Sequence, residues 1–116
     1  MTIREKSGNL TMAEMYRLTK SPDIAKMATV KGQEVEIDKF IVYDDANVST
    51  GEISTIVAIS TPQGETYASN SRTFTSDFLD IIAMCKEANE ALPKTIKVLP
   101  KVGKSGREYL LCAYIN

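Results

Sequence analysis

The chain has no histidine and no tryptophan, only two cysteines, and no run of apolar residues long enough to cross a membrane. Each absence excludes something. A zinc site takes about four Cys, His or carboxylate ligands, the structural ones mostly Cys and His, so Cys85 and Cys112 cannot build one. Both lie in short apolar stretches of the 116-residue chain, where small buried thiols are common; free, buried cysteines are expected. Without a His base, a Gly-rich phosphate loop or a Ser or Cys beside a base, the chain lacks the usual parts of an active site. We expect no enzyme, no catalytic residues, no cofactor and no metal. Asp44-Asp45 reads as a solvated acidic loop. A membrane helix needs about 20 apolar residues and a signal peptide needs an apolar core, which MTIREKSGNL does not have. A cytoplasmic location is expected, the host cytoplasm if the chain is viral, with no membrane partner.

A basic surplus is also missing. The net charge is −1, which alone argues against nucleic acid. Its distribution says more: residues 1–93 hold 9 Lys/Arg and 14 Asp/Glu, whereas residues 94–116 hold Lys94, Lys97, Lys101, Lys104 and Arg107 against Glu108 alone. The basic charge is gathered at the C-terminal end, either as the solvated face of an edge strand or as a phosphate-binding patch.

What the chain does have is a hairpin that organises the rest, Ile53 to Phe74. Ile53–Thr61 is dense in β-branched residues, which suit a half-buried pleated surface. Pro62-Gln63-Gly64 supplies the turn, and Glu65–Arg72 is expected to return as a polar strand. Upstream, Thr11-Met12-Ala13-Glu14 has capping-box spacing, predicting a helix over Met12–Lys20; Ser21-Pro22 suggests a second short helix, ended by Lys31-Gly32. Gln33–Tyr43 alternates, then slips phase at Asp38-Lys39, predicting a bulged and bent strand.

Downstream, Thr75 or Ser76 is the expected N-cap of a helix whose stripe is Phe78, Ile81, Ile82, Cys85, Ala88 and Leu92. Lys94–Val102 and Arg107–Ile115 are expected strands around a Gly103–Gly106 turn, with Pro100 marking an edge or the end of pairing. The prediction is a single domain, 1–116, mainly β with short helices: an N-terminal helical segment (1–32) and a five-stranded OB-fold, a Greek-key barrel, over 33–116 with a helix between strands 3 and 4. An α+β sandwich is the alternative.

The segments Gln63-Gly64-Glu65-Thr66-Tyr67, Ser69-Asn70-Ser71 before Phe74, Ile96-Lys97-Val98, Gly103-Lys104-Ser105-Gly106-Arg107 and Tyr109-Leu110-Leu111 resemble the small single-stranded-DNA-binding proteins of bacteriophages of Gram-positive hosts, of the Bacillus podovirus type. The resemblance spans about residues 33–116. It implies an OB-fold that coats and protects single-stranded DNA during phage replication, without sequence preference or catalysis, with stacking aromatics at Tyr43 and Tyr67. Two features of relatives are not seen here: the aromatic that some place in the loop after the first strand, where this chain has Val48, Ser49 and Thr50, and the acidic tail of cellular bacterial relatives.

Such binding needs flat faces for bases and charge for phosphates. The candidate faces are Tyr43, Tyr67 and Tyr109. The candidate phosphate contacts are Arg72, Lys97, Lys101, Lys104 and Arg107, with Lys39 weaker, and Ser69, Asn70 and Ser71 offer hydrogen bonds. Tyr114 and the three phenylalanines read as structural. The N-terminal helices are candidates for self-association. The competing expectation is an OB-fold module that binds another polypeptide and no nucleic acid.

Overall fold

The computed structural model describes residues 1–116. Numbered along the chain, the strands are β1 (Thr2–Lys6), β2 (Ala25–Lys26), β3 (Glu34–Glu36), β4 (Lys39–Ala46), β5 (Ile53–Ser60), β6 (Thr66–Ser69), β7 (Thr95–Val102) and β8 (Glu108–Tyr114); the helices are α1 (Met12–Thr19) and α2 (Arg72–Glu87), with a 3-10 turn at Met27–Val30. They form two sheets, ordered β1-β4-β5-β6-β2 and β3-β7-β8.

Side chains alternate between the faces of a strand, so the consecutive apolar residues of β4 commit it to burial on both sides. Phe40 and Val42 enter the main core with Val57 and Ile59 of β5, Phe74, Phe78 and Ile82 of α2, and Ile96 and Val98 of β7. The ring of Phe40 meets Phe78 edge-on at 5.2 Å. Ile41 and Tyr43 point the other way, into a smaller cluster with Ala58 and with Leu18 of α1. Cys85 and Cys112 are free and buried in the main core, and burial, with Asp77 nearby, pushes the Cys112 thiol up to about 12.

The phase slip at Asp38-Lys39 is a change of sheet rather than a bulge. The Ile37 amide donates to the Lys94 carbonyl and the next amide, Asp38, donates to Ser60, both at 2.8 Å. One bend therefore lets β3 pair antiparallel with β7 and β4 pair antiparallel with β5. Pro100 lies beyond the last β3 partner, Lys97, so no pairing amide is missed there. The hairpin turn is as expected: Gly64 has φ +88°, its amide donates to Thr61, and the Thr61 amide donates to Glu65.

β6 and β8 do not pair, so the two sheets do not close into the barrel expected from the sequence. Side chains of α2 and its N-cap serve the free edge of β8 instead: the hydroxyls of Thr73 and Ser71 donate to the Leu110 carbonyl (2.6 and 3.4 Å), and the Asp77 carboxylate accepts from the Cys112 amide (3.1 Å).

Four other local expectations change. Residues 1–32 are not simply helical: β1 pairs with β4, and the second helix is replaced by β2, parallel to β6, followed by the 3-10 turn. A helical segment of about ten residues is marginal unless packing rescues it, and here the open edge of β6 offers strand pairing instead. β6 ends at Ser69, whose hydroxyl accepts the Ser71 amide (3.1 Å) and turns the chain. Ser71, rather than Thr75 or Ser76, is the N-cap of α2, so Arg72 opens a helix instead of closing a strand. The helix stops at Glu87, with Asn89 in the left-handed region at φ +58°, leaving Leu92 to pack on the core from outside it. α1 is present with both bonds of its Thr11–Glu14 capping box.

Candidate nucleic-acid interface

The failure of β6 and β8 to pair leaves a groove of about 910 Å³ between them. Its floor is apolar, from Ile56 and Ala68 on the outer face of sheet β1-β4-β5-β6-β2 and Met27 of the 3-10 turn; Ser69, Asn70, Ser71, Arg72 and Thr73 line it from the α2 side, and Arg107, Glu108 and Tyr109 from the β8 side. Two stretches some 35 residues apart in sequence thus face one opening.

The turn chemistry explains the first wall. Ser69 is buried and spends its hydroxyl on the Ser71 amide, and Ser71 caps α2. These hydroxyls hold the loop, which leaves Asn70 and Arg72, both exposed, as the groups presented. The second wall follows from the β7–β8 turn, where Gly106 has φ +79° and the Gly103 amide donates to Arg107. Tyr109 leans on this turn: a Cβ on Gly103 would lie 3.4 Å from Tyr109 Cε1. A Cβ at position 103 would touch the ring at van der Waals distance.

Of the ten residues expected at the site, Ser69, Asn70, Arg72, Arg107 and Tyr109 come together in this groove. Lys97, Lys101 and Lys104 do not line it. They extend from sheet β3-β7-β8 and its turn, Lys101 directly opposite Tyr109 in register and Lys97 opposite Ala113. Of the six basic residues named from the sequence, five, Arg72, Lys97, Lys101, Lys104 and Arg107, are outside the ion pairs of the molecule, which join Arg4–Asp44, Lys20–Asp45, Lys31–Glu108, Lys39–Glu14 and Lys86–Glu5. Lys39 is held by Glu14 at 3.0 Å and is not a free cation.

Tyr43 and Tyr67 are placed otherwise than expected. Tyr43 is 4% exposed beneath α1; burial, then Asp45, raises its phenol above the ordinary value. No base can reach its face while α1 is docked. Tyr67 turns inward, opposite Ile59, and packs against the main core. Its hydroxyl donates to Glu65 Oε2 at 3.0 Å, and desolvation, then that bond, raises its pKa. Tyr109 is therefore the one tyrosine in the groove.

The sequence reading missed Lys26, Met27, Ile56 and Ala68. Ile56 carried a signal, since it adjoins Val57 in a strand and so commits both faces to cover. Lys26 and Met27 carried none, because they reach the groove only through the pairing of β2 with β6. The arrangement can hold an apolar, flat group on the floor and at Tyr109 while two guanidiniums and an amide face a charged backbone. No protein-family model, curated protein or solved structure matches this chain.

Proposed function

We propose that this protein binds single-stranded DNA without sequence preference, and that it coats and protects the strand during phage DNA replication. The observation that carries the reading is the groove between β6 and β8, where Arg72, Arg107, Asn70 and Tyr109 surround an apolar floor and neither guanidinium is engaged in an ion pair. Single-strand binders combine a basic track for the backbone with faces on which bases stack, and both are within this opening. Lys101 and Lys104 extend the basic side beyond it.

We also propose that β3 to β8 is an OB-fold of the open kind. The support is the strand sequence β6-β5-β4, the bend into β3, then β7-β8, with α2 between β6 and β7. OB-folds are partly open five-stranded barrels that bind oligonucleotides on the face of their second and third strands, here β5 and β6. Binding without catalysis is the activity proposed. A module for another polypeptide is the second reading, favoured by a small apolar hollow of about 250 Å³ at the far end of α2, where Met84 and Tyr114 are exposed.

Titration with oligo-dT tests the proposal. The protein is expected to retard a labelled oligo-dT far more than the matching duplex, with affinity falling steeply as salt rises, and to show quenching of tyrosine fluorescence, which no Trp obscures. Unaltered mobility at low salt and micromolar protein would overturn it.

A further inference from the structure

The first groove does not end at the α2 side. Asn70 and Arg72 line it, and the same two residues line a second groove of about 600 Å³ that lies between the start of β5, the strand β1 and the first turns of α2. The two openings thus meet across one ridge, and the ridge carries a guanidinium with no carboxylate partner. Beyond it the second groove changes character: the hydroxyl residues Ser54, Thr55, Thr75 and Ser76 line it beside Ile53 and Leu79, with Arg4 from β1 as its further cation.

Arg4 is half exposed and its pairing is loose, 3.8 Å to Asp44 and 3.5 Å to the Thr55 hydroxyl. The tight contact nearby bypasses it, because Thr55 donates to Asp44 at 2.6 Å. Hydroxyls and a guanidinium without an aromatic suit a sugar–phosphate backbone better than a stacked base. One carboxylate, Glu52, also lines this groove and belongs to no ion pair.

Resting on the single-strand reading above, we propose that the bound strand crosses the Asn70–Arg72 ridge and continues through the second groove, its phosphates meeting Arg72 at the crossing and Arg4 beyond it. The N-terminal strand β1 then belongs to the binding surface. Glu52 opposes the passing backbone and limits the affinity of this half of the site.

The test compares dT oligonucleotides of about 4 and about 16 nucleotides, the ends of the range that one OB-fold covers, on the full chain and on Arg4→Ala and Glu52→Gln. Arg4→Ala is expected to weaken the longer oligonucleotide several-fold and to lower its log–log salt slope by about 0.7, the share of one single-strand phosphate contact, while leaving the shorter one unchanged. Glu52→Gln is expected to tighten the longer one only, a gain that misfolding cannot imitate. If both variants bind both lengths as the parent does, or change both lengths equally, the second groove is not part of the track. If the parent binds neither length, the single-strand reading itself falls and this extension with it.

Discussion

Tyr43 and Tyr109 make an instructive pair. Both stand on the face of their strand that turns away from the main core, next to residues that enter it: Val42 beside Tyr43, and Leu110 beside Tyr109. Their strands, β4 and β8, both carry consecutive apolar residues, Phe40 to Tyr43 and Tyr109 to Tyr114. One ring is sealed under Leu18 and α1, whereas the other lies against Gly103 at the mouth of a groove. The difference comes from what arrives from elsewhere in the chain to cover the face. An N-terminal helix covers sheet β1-β4-β5-β6-β2, whereas no helix covers Tyr109, which is bordered by the Gly103 turn, by Lys101 opposite it in register and by the groove.

If that contrast is right, substitution should separate stability from binding. The largest effect is expected for Tyr43→Ala, which empties a buried site and should lower unfolding free energy by about 3 kcal/mol, the usual range for large aromatic truncations in a core. Urea denaturation measures it, and the oligo-dT affinity of the folded fraction should stay at the parent's value. A Tyr43→Ala protein of unchanged stability and lost binding would invert the assignment.

Tyr109→Ala should do the opposite. Loss of one stacking face is worth about 1–3 kcal/mol of oligo-dT affinity, together with most of the fluorescence quenching, at little change in the denaturation midpoint. If quenching survives, another tyrosine reports on the strand and Tyr109 is not the stacking face.

The smallest effect concerns the clasp that keeps α1 over Tyr43. Glu14 accepts the Thr11 amide and pairs with Lys39, and these two contacts, the backbone bond first, hold its carboxyl below the ordinary 4.5. A carboxyl with a lowered folded pKa stabilises the protein fully above its unfolded value, and that contribution is lost as pH falls from about 4.5 through the folded value. Glu14→Gln should therefore show a shallower loss of stability than the parent between pH 5 and pH 3, in denaturation followed at stepped pH. An identical pH profile would show that the clasp carries no weight in holding α1.

Much of the fold was legible before any tertiary information. Thr11 and Glu14 announced α1, Pro62-Gln63-Gly64 announced the β5–β6 turn, and the apolar stripe from Phe78 to Cys85 announced α2. These signals depend on residues within about four positions of one another, so local chemistry suffices. The bend at Asp38 was legible as a break in phase, but its meaning was not, because a bulge and a change of sheet produce the same slip. Arg72 was misplaced for a similar reason: three hydroxyl residues, Ser71, Thr75 and Ser76, each had the chemistry of an N-cap, and only the turn at Ser69 selects the first.

The sequence by itself determined the mainly β character, the β5–β6 turn and the α1 cap, the absence of histidine chemistry, and the gathering of cations near the C-terminus. Tertiary structure alone decided that β1 and β2 join a sheet, that Tyr43 is covered while Tyr109 is open, and that Asn70 and Arg72 face Arg107 across a groove. Exposure is a property of a face and of whatever packs on it, and here the packing partners lie tens of residues away.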